Sequence, residues 1–210
     1  MDSAVKKALT EGTASEERGD FSAAAGHFAD ALAACSPDDH YTRGAITINL
    51  GQMAEQLGSP QDAVEYYAAA EEILRNGRGE AALQRGHALM NIGRIYIDHN
   101  VPDSIDVYRE ALRAYESYPY TSRPDLVEAK MAVAVAEASF PREPIDVAAV
   151  LELWEEVREV SSSDINPTIV LNFASFLLAL SRAASIDVAG LAAWTGPELH
   201  RRAAELNPKA

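Results

Sequence analysis

The chain has 210 residues, of which 48% are hydrophobic and 24% are charged, a composition typical of folded globular proteins and not of disordered ones. Lys and Arg number 18 and Asp and Glu number 32, so the formal net charge is −14. A surface this acidic repels phosphate groups, so we expect no nucleic-acid partner and no membrane-surface partner. Cys35 is the only cysteine, which excludes an internal disulfide and favours a reducing compartment.

Two further features predict a cytoplasmic protein. No long apolar stretch of the kind found in secretory signals follows the N-terminus. The most apolar window, 168–184, is interrupted by Asn172, Ser175 and Ser181, so we interpret it as a buried helix and not as a membrane span. The excess of Arg over Lys and the abundant alanine are common in proteins from GC-rich bacteria and indicate a bacterial source.

Hydrophobic periodicity predicts helices throughout the chain, and no stretch alternates in the manner of a strand. In chain order the helices are expected at 3–18, 21–35, 41–57, 60–76, 80–98, 102–116, 124–139, 144–161, 166–184 and 187–194, followed by a capping helix at 197–206. Pro60, Pro102 and Pro144 are each expected in the first turn of a helix, where a missing N–H is tolerated.

Two series of residues recur along these helices. Small residues are separated by 39, 42, 39 and 42 positions, and a polar residue stands two positions before each; the small residues are Gly12, Gly51, Gly93, Ala132 and Ala174. In the following helices a small residue stands four before an aromatic one, as in Ala24/Phe28, Ala63/Tyr67 and Ser104/Tyr108. This spacing puts both residues on one helix face, where the small one permits close packing.

The pattern resembles the tetratricopeptide repeat family, in a variant with longer helices. The likeness is carried by Gly12, Gly19, Phe28 and Ala31 in the first repeat and by the matching residues of the next two, and it weakens after position 140. The resemblance implies an all-α, right-handed solenoid of five helix pairs in one domain, 1–210. The repeats are expected at 3–38, 41–77, 80–117, 124–161 and 166–194, with the cap at 197–206.

The resemblance also implies a concave groove lined by the first helix of each repeat. It places there the polar column and its neighbours one helical turn away, namely Lys6, Thr10, Thr13, Asn49, Gln52, His87, Asn91, Arg94, Lys130 and Asn172. An asparagine amide both donates and accepts hydrogen bonds, so it can hold the main chain of an extended peptide whatever the peptide's sequence. Alternatively, the asparagines bridge adjacent repeats. Basic residues mark one edge of this groove, and Glu17, Gln56, Asp98 and Glu137 mark the other.

Catalytic and metal-binding patterns are absent from the sequence. There is no HExxH pair, no phosphate-binding glycine motif and no GxSxG, so we predict no catalytic residue, no metal site and no cofactor. Adjacent acids such as Glu71 and Glu72 are interpreted as solvated helix faces, and three tyrosines between 115 and 120 as packing between repeats. The sequence therefore favours a non-enzymatic adaptor for a protein or peptide. The alternatives are a small-molecule-responsive regulator or an atypical biosynthetic enzyme using the same groove, and the chain could form a homodimer.

Overall fold

The computed structural model of the chain describes residues 2–184, 188 and 190–206. The described residues form ten α-helices and one short 3₁₀ helix, and no strand occurs among them. The prediction of an all-α fold is confirmed.

The chain divides into two compact units, Met1–Pro119 and Tyr120–Ala210. The first holds three helix pairs: α1 Ser3–Glu17, α2 Phe21–Ala34, α3 His40–Gln56, α4 Pro60–Leu74, α5 Glu80–Asp98 and α6 Ser104–Glu116. The second holds α7 Arg123–Ser139, α8 Val147–Val157, the 3₁₀ helix Ser162–Asp164, α9 Pro167–Ala184 and α10 Leu191–Leu206. That all five repeats form one domain stays a prediction.

Within the first unit, the two recurring series of residues meet each other. An ideal Cβ atom on Gly51 of α3 would lie 2.6 Å from Cε1 of Tyr67 on α4, so glycine is what lets the ring approach the helix backbone. The other two pairs repeat this contact, with a Cβ on Gly12 reaching 2.6 Å from Phe28 and one on Gly93 reaching 2.5 Å from Tyr108. All three rings are buried. The regular spacing of the small residues in the sequence therefore reflects one packing contact, glycine against aromatic ring, that recurs in each helix pair.

The turns inside these three pairs also repeat. Each first helix ends two residues before a residue with positive φ, namely Gly19 (76°), Gly58 (78°) and Asn100 (56°). The next N–H then donates to a carbonyl five residues back, as Ser59 does to Ala54 at 2.9 Å. This geometry is the Schellman ending of a helix.

The three prolines expected at helix starts behave differently. Pro60 occupies the first turn of α4, as predicted. The prediction is wrong for Pro102 and Pro144, because α6 begins at Ser104 and α8 begins at Val147. At α8 the side chain of Asp146 accepts from the Ala149 N–H at 3.1 Å, and this cap determines the start of the helix.

The second unit is built around α9, which contacts both α7 and α10. Gly196, with φ 74° and ψ 165°, interrupts α10, and Pro197 begins its second half. The predicted capping segment 197–206 thus continues from the preceding helix across a kink. The predicted start of that preceding helix, at 187, lies outside the described residues.

Helix α9 is also the apolar window noted in the sequence. With 18 residues and a mean hydropathy of 1.4, it meets the length and composition of a membrane-spanning helix. Its buried residues include Val170, Phe173 and Leu177, which is the packing expected of a core helix. That α9 is a core helix and not a membrane span stays a prediction.

Candidate functional site

The polar residues predicted on α1 form one exposed helix face. Lys6, Thr10 and Thr13 are all exposed, and they line an open depression of about 410 Å³ together with Leu9, Ala14 and Glu17. Within this face the Thr10 hydroxyl donates to the Lys6 carbonyl at 2.9 Å, a bond internal to the helix. The face is therefore open to solvent.

Helices α3 and α5 carry the next two members of the polar column and contact each other. Glu55 near the end of α3 pairs with Arg94 near the end of α5, so the two helices run parallel. Asn49 and Asn91 are half-buried at the middle of each helix, and Gln52 is exposed one turn further along α3. Within the part of the chain that the structure describes, neither asparagine amide makes a hydrogen bond. The described contacts thus give no support to the alternative in which these two amides bridge the repeats.

Arg94, in contrast, is engaged inside the protein. Its guanidinium donates to the Glu55 carboxylate, and the two side chains are 21% and 20% exposed. The Tyr67 hydroxyl donates to the other Glu55 oxygen at 2.6 Å. Desolvation raises the pKa of Tyr67, and its hydrogen bond to the Glu55 carboxylate raises that pKa further. The positive charge of Arg94 is therefore neutralised by a carboxylate of the neighbouring repeat.

The residues predicted at the acidic edge of the groove lie near the C-terminal ends of the first helices. That they form one edge stays a prediction. Glu17, Gln56 and Asp98 are all exposed. Partial desolvation raises the pKa of the Asp98 carboxyl, while the nearby Arg94 and His99 charges lower it in part. The end of α5 therefore presents a carboxylate one turn beyond Arg94.

His87, one turn before Asn91, packs within its own repeat. Its ring makes an edge contact with Tyr115 of α6, with centroids 5.5 Å apart. Tyr115 is buried beneath Gly86, so this tyrosine stabilises the third pair itself. Tyr120 is 83% exposed, so the prediction that the three tyrosines pack between repeats is wrong for this residue.

A second ion-pair network links α4, α5 and α6. Glu71 accepts from Arg75 at 2.7 Å and from Arg85 at 2.8 Å, and Arg85 also pairs with Glu110. The interpretation of Glu71 as a solvated acid is wrong, because it is buried. Desolvation raises the pKa of Glu71, but the hydrogen bonds from the two arginines outweigh it, and the net shift is downward.

The last two predicted residues lie in the second unit. Lys130 on α7 donates to both carboxylate oxygens of Glu156 on α8, at 2.8 and 2.9 Å. Asn172 on α9 is half-buried, and among the described residues its amide has no hydrogen bond. Of the predicted groove residues, Arg94 and Lys130 are thus paired with carboxylates inside the protein. The amides of Asn49, Asn91 and Asn172 make no hydrogen bond among the described residues.

Glu55 is not among the residues predicted from the sequence, although a signal for it exists. A buried tyrosine hydroxyl requires a hydrogen-bond partner. Because Tyr67 packs against Gly51 on an antiparallel helix, its hydroxyl must reach the residue one turn later on α3, which is Glu55. The Arg85–Glu71 pair has no such signal in the sequence, since it depends on how adjacent pairs stack. No three His, Cys, Asp or Glu side chains in the described ranges come together as a metal site.

The comparisons with known proteins agree with this architecture. Residues 42–117, which span α3 to α6, match the family model described as Tetratricopeptide repeat. The chain is similar in fold to the crystal structure of BtubC (BKLC) from P. vanneervenii, with a TM-score of 0.64 and 16% identity over 98% of this chain and 82% of that one. At this identity the likeness concerns the fold. A search of curated proteins gives no match.

Proposed function

We propose that the chain is a non-enzymatic adaptor for a protein or peptide. Its residues 42–117 match the tetratricopeptide repeat model, and such repeats generally mediate protein–protein interaction. The ligand is an extended segment that lies across the exposed face of α1, α3 and α5. The observation that carries the proposal is that Asn49 and Asn91 present amides with no hydrogen bond among the described residues.

The chemistry of these amides suits a peptide main chain. Each amide offers two donor hydrogens and an acceptor oxygen, so it can pair with both the C=O and the N–H of one residue of an extended strand. Because α3 and α5 lie side by side, the two amides can engage the same strand at two points along it. We expect the complex to form in the cytoplasm of a bacterium.

The double variant Asn49→Ala/Asn91→Ala tests this function. The protein is used to capture partners from a bacterial lysate, and binding of the captured partner is then measured on wild type and variant. Each lost main-chain hydrogen bond should weaken binding by about 0.5–1.5 kcal/mol. Thermal stability should be unchanged, since the amides stabilise no contact in the described fold.

The matched control is Asn76→Ala, which removes the same side chain from an exposed position after α4. It should leave both binding and stability unchanged. Binding that is unaffected by the double variant, with a lower melting temperature, would show the asparagines to be structural and would contradict the proposal. A metabolite or chromophore that copurifies in place of a protein would instead indicate a small-molecule regulator or an atypical biosynthetic enzyme.

A further inference from the structure

The Glu55–Arg94 ion pair lies one helical turn from the Asn91 amide. Arg94 follows Asn91 by three positions on α5, so these two side chains share one helix face. Glu55 reaches this face from α3 through its contact with the Arg94 guanidinium. A side chain of a strand held at Asn91 can therefore reach this ion pair.

The position of the Glu55 carboxylate is fixed by the core beneath it. The Tyr67 hydroxyl donates to it at 2.6 Å, and the Tyr67 ring is fully buried under Gly51. A side chain anchored in this way cannot swing toward a ligand without breaking that bond. The carboxylate thus holds the Arg94 guanidinium in place before any ligand arrives.

This arrangement discriminates among ligands by charge. A ligand carboxylate that took Arg94 would leave Glu55 unpaired at a site that is four-fifths buried, and this is unfavourable. It would also approach the exposed Asp98 carboxylate, one turn further on. An uncharged or basic ligand side chain meets neither obstacle.

We propose that the Glu55–Arg94 pair sets the specificity of this face, so that it accepts peptides with uncharged or basic side chains at this register and rejects Asp and Glu there. The inference rests on the proposed function, since it specifies which peptides the same face binds. The sequence alone suggests the opposite preference, because it shows Arg94 without showing its partner.

The experiment uses a phage-displayed library of random linear peptides, selected separately on wild type and on Glu55→Gln. A peptide selected by wild type is then resynthesised with Asp placed at each position in turn. In wild type, Asp should abolish or strongly weaken binding at one register. In Glu55→Gln, which frees Arg94, binding of that Asp peptide should improve by about tenfold, the effect of one well-placed charge contact. The gain should shrink with added salt.

Two further variants make the result specific. Glu110→Gln removes the same charge and also breaks an Arg–Glu pair, that with Arg85, so it should leave the Asp scan unchanged. Tyr67→Phe keeps the buried ring and removes the hydroxyl that anchors Glu55, so it should shift the scan in the same direction by a smaller factor. It also provides the test if Glu55→Gln does not fold.

The outcomes distinguish failure of the specificity proposal from failure of the proposed peptide-binding function. If the Asp scan is the same on wild type, Glu55→Gln and Tyr67→Phe while binding still depends on Asn49 and Asn91, the specificity proposal is overturned and the peptide-binding function stands. If no peptide is selected on wild type, or if selected peptides bind the Asn49→Ala/Asn91→Ala variant equally well, both are overturned.

Discussion

The contact between Gly51 and Tyr67 predicts the effect of a single added methyl group. In Gly51→Ala the new Cβ would lie 2.6, 2.8 and 2.9 Å from three ring atoms of Tyr67. The ring is fully buried, and its hydroxyl is bonded to Glu55, so it has no open direction in which to move. Helices α3 and α4 must separate to relieve the overlap.

The magnitude follows from two opposing effects. Replacing glycine by alanine inside a helix stabilises it by about 1 kcal/mol, whereas overpacking a well-packed core destabilises it by about 1–3 kcal/mol. Overlap with three atoms of a rigid ring places Gly51→Ala at the upper end of that range, for a net loss of about 2 kcal/mol. For a chain of this size, the melting temperature should fall by about 4–8 °C.

The matched control is Gly26→Ala, the same substitution inside α2. Gly26 is exposed, and an added Cβ would meet nothing within 4 Å, so only the helix-propensity gain of up to about 1 kcal/mol remains. Thermal unfolding followed by far-ultraviolet circular dichroism compares the two variants. Opposite signs support the packing argument, and equal stabilisation of both variants would refute it.

Two other predictions concern buried polar groups. Ser104 is fully buried and its hydroxyl has no partner among the described residues, while the equivalent position of the preceding repeat is Ala63. Ser104→Ala should therefore raise the free energy of unfolding in urea by about 1 kcal/mol, and the reverse change Ala63→Ser should lower it. A loss of stability in Ser104→Ala would contradict this reasoning. Because the folded pKa of Glu71 lies below its unfolded value of about 4.3, its ion pairs stabilise the fold above that pH, and this contribution is lost as pH falls through the folded pKa. Glu71→Gln should therefore lower the free energy of unfolding by about 1–3 kcal/mol at pH 7, and this loss should become smaller as the pH is lowered. A loss of stability that does not change with pH would show that the charge of Glu71 is not its origin.

The sequence predicted the helix pairs well because their spacing reflects a direct contact. Gly12, Gly51 and Gly93 recur where an aromatic ring of the following helix packs onto the backbone, so the period of small residues locates each pair. The errors at Pro102 and Pro144 have a different origin. Proline is tolerated in the first turn of a helix but does not by itself start one. At α8 the start of the helix is set by the capping side chain of Asp146 and not by Pro144.

The sequence predicts on which side of each helix the candidate site residues lie, but it does not predict which of them form ion pairs. The spacing of Thr10, Asn49 and Asn91 locates one side of three helices, because helical periodicity is local. Whether Arg94 is available is not local, since its partner lies 39 residues away on another helix. That contact depends on the register between parallel helices and on Tyr67, which lies on a third one.

The polar residues of this face differ in how unfavourable it is to leave them without a protein partner in the absence of ligand. This difference explains which of them are paired. A charged group that is four-fifths buried is unfavourable unless it is neutralised, so Arg94 takes a carboxylate from the adjacent repeat as part of folding. An amide on an open face is satisfied by water at little cost, and a peptide group can later replace that water with equivalent hydrogen bonds. Asn49 and Asn91 can therefore remain unpaired in the folded protein without destabilising it. We therefore propose that the amides supply affinity for a peptide main chain, and that the Glu55–Arg94 pair beside Asn91 determines which side chains are excluded.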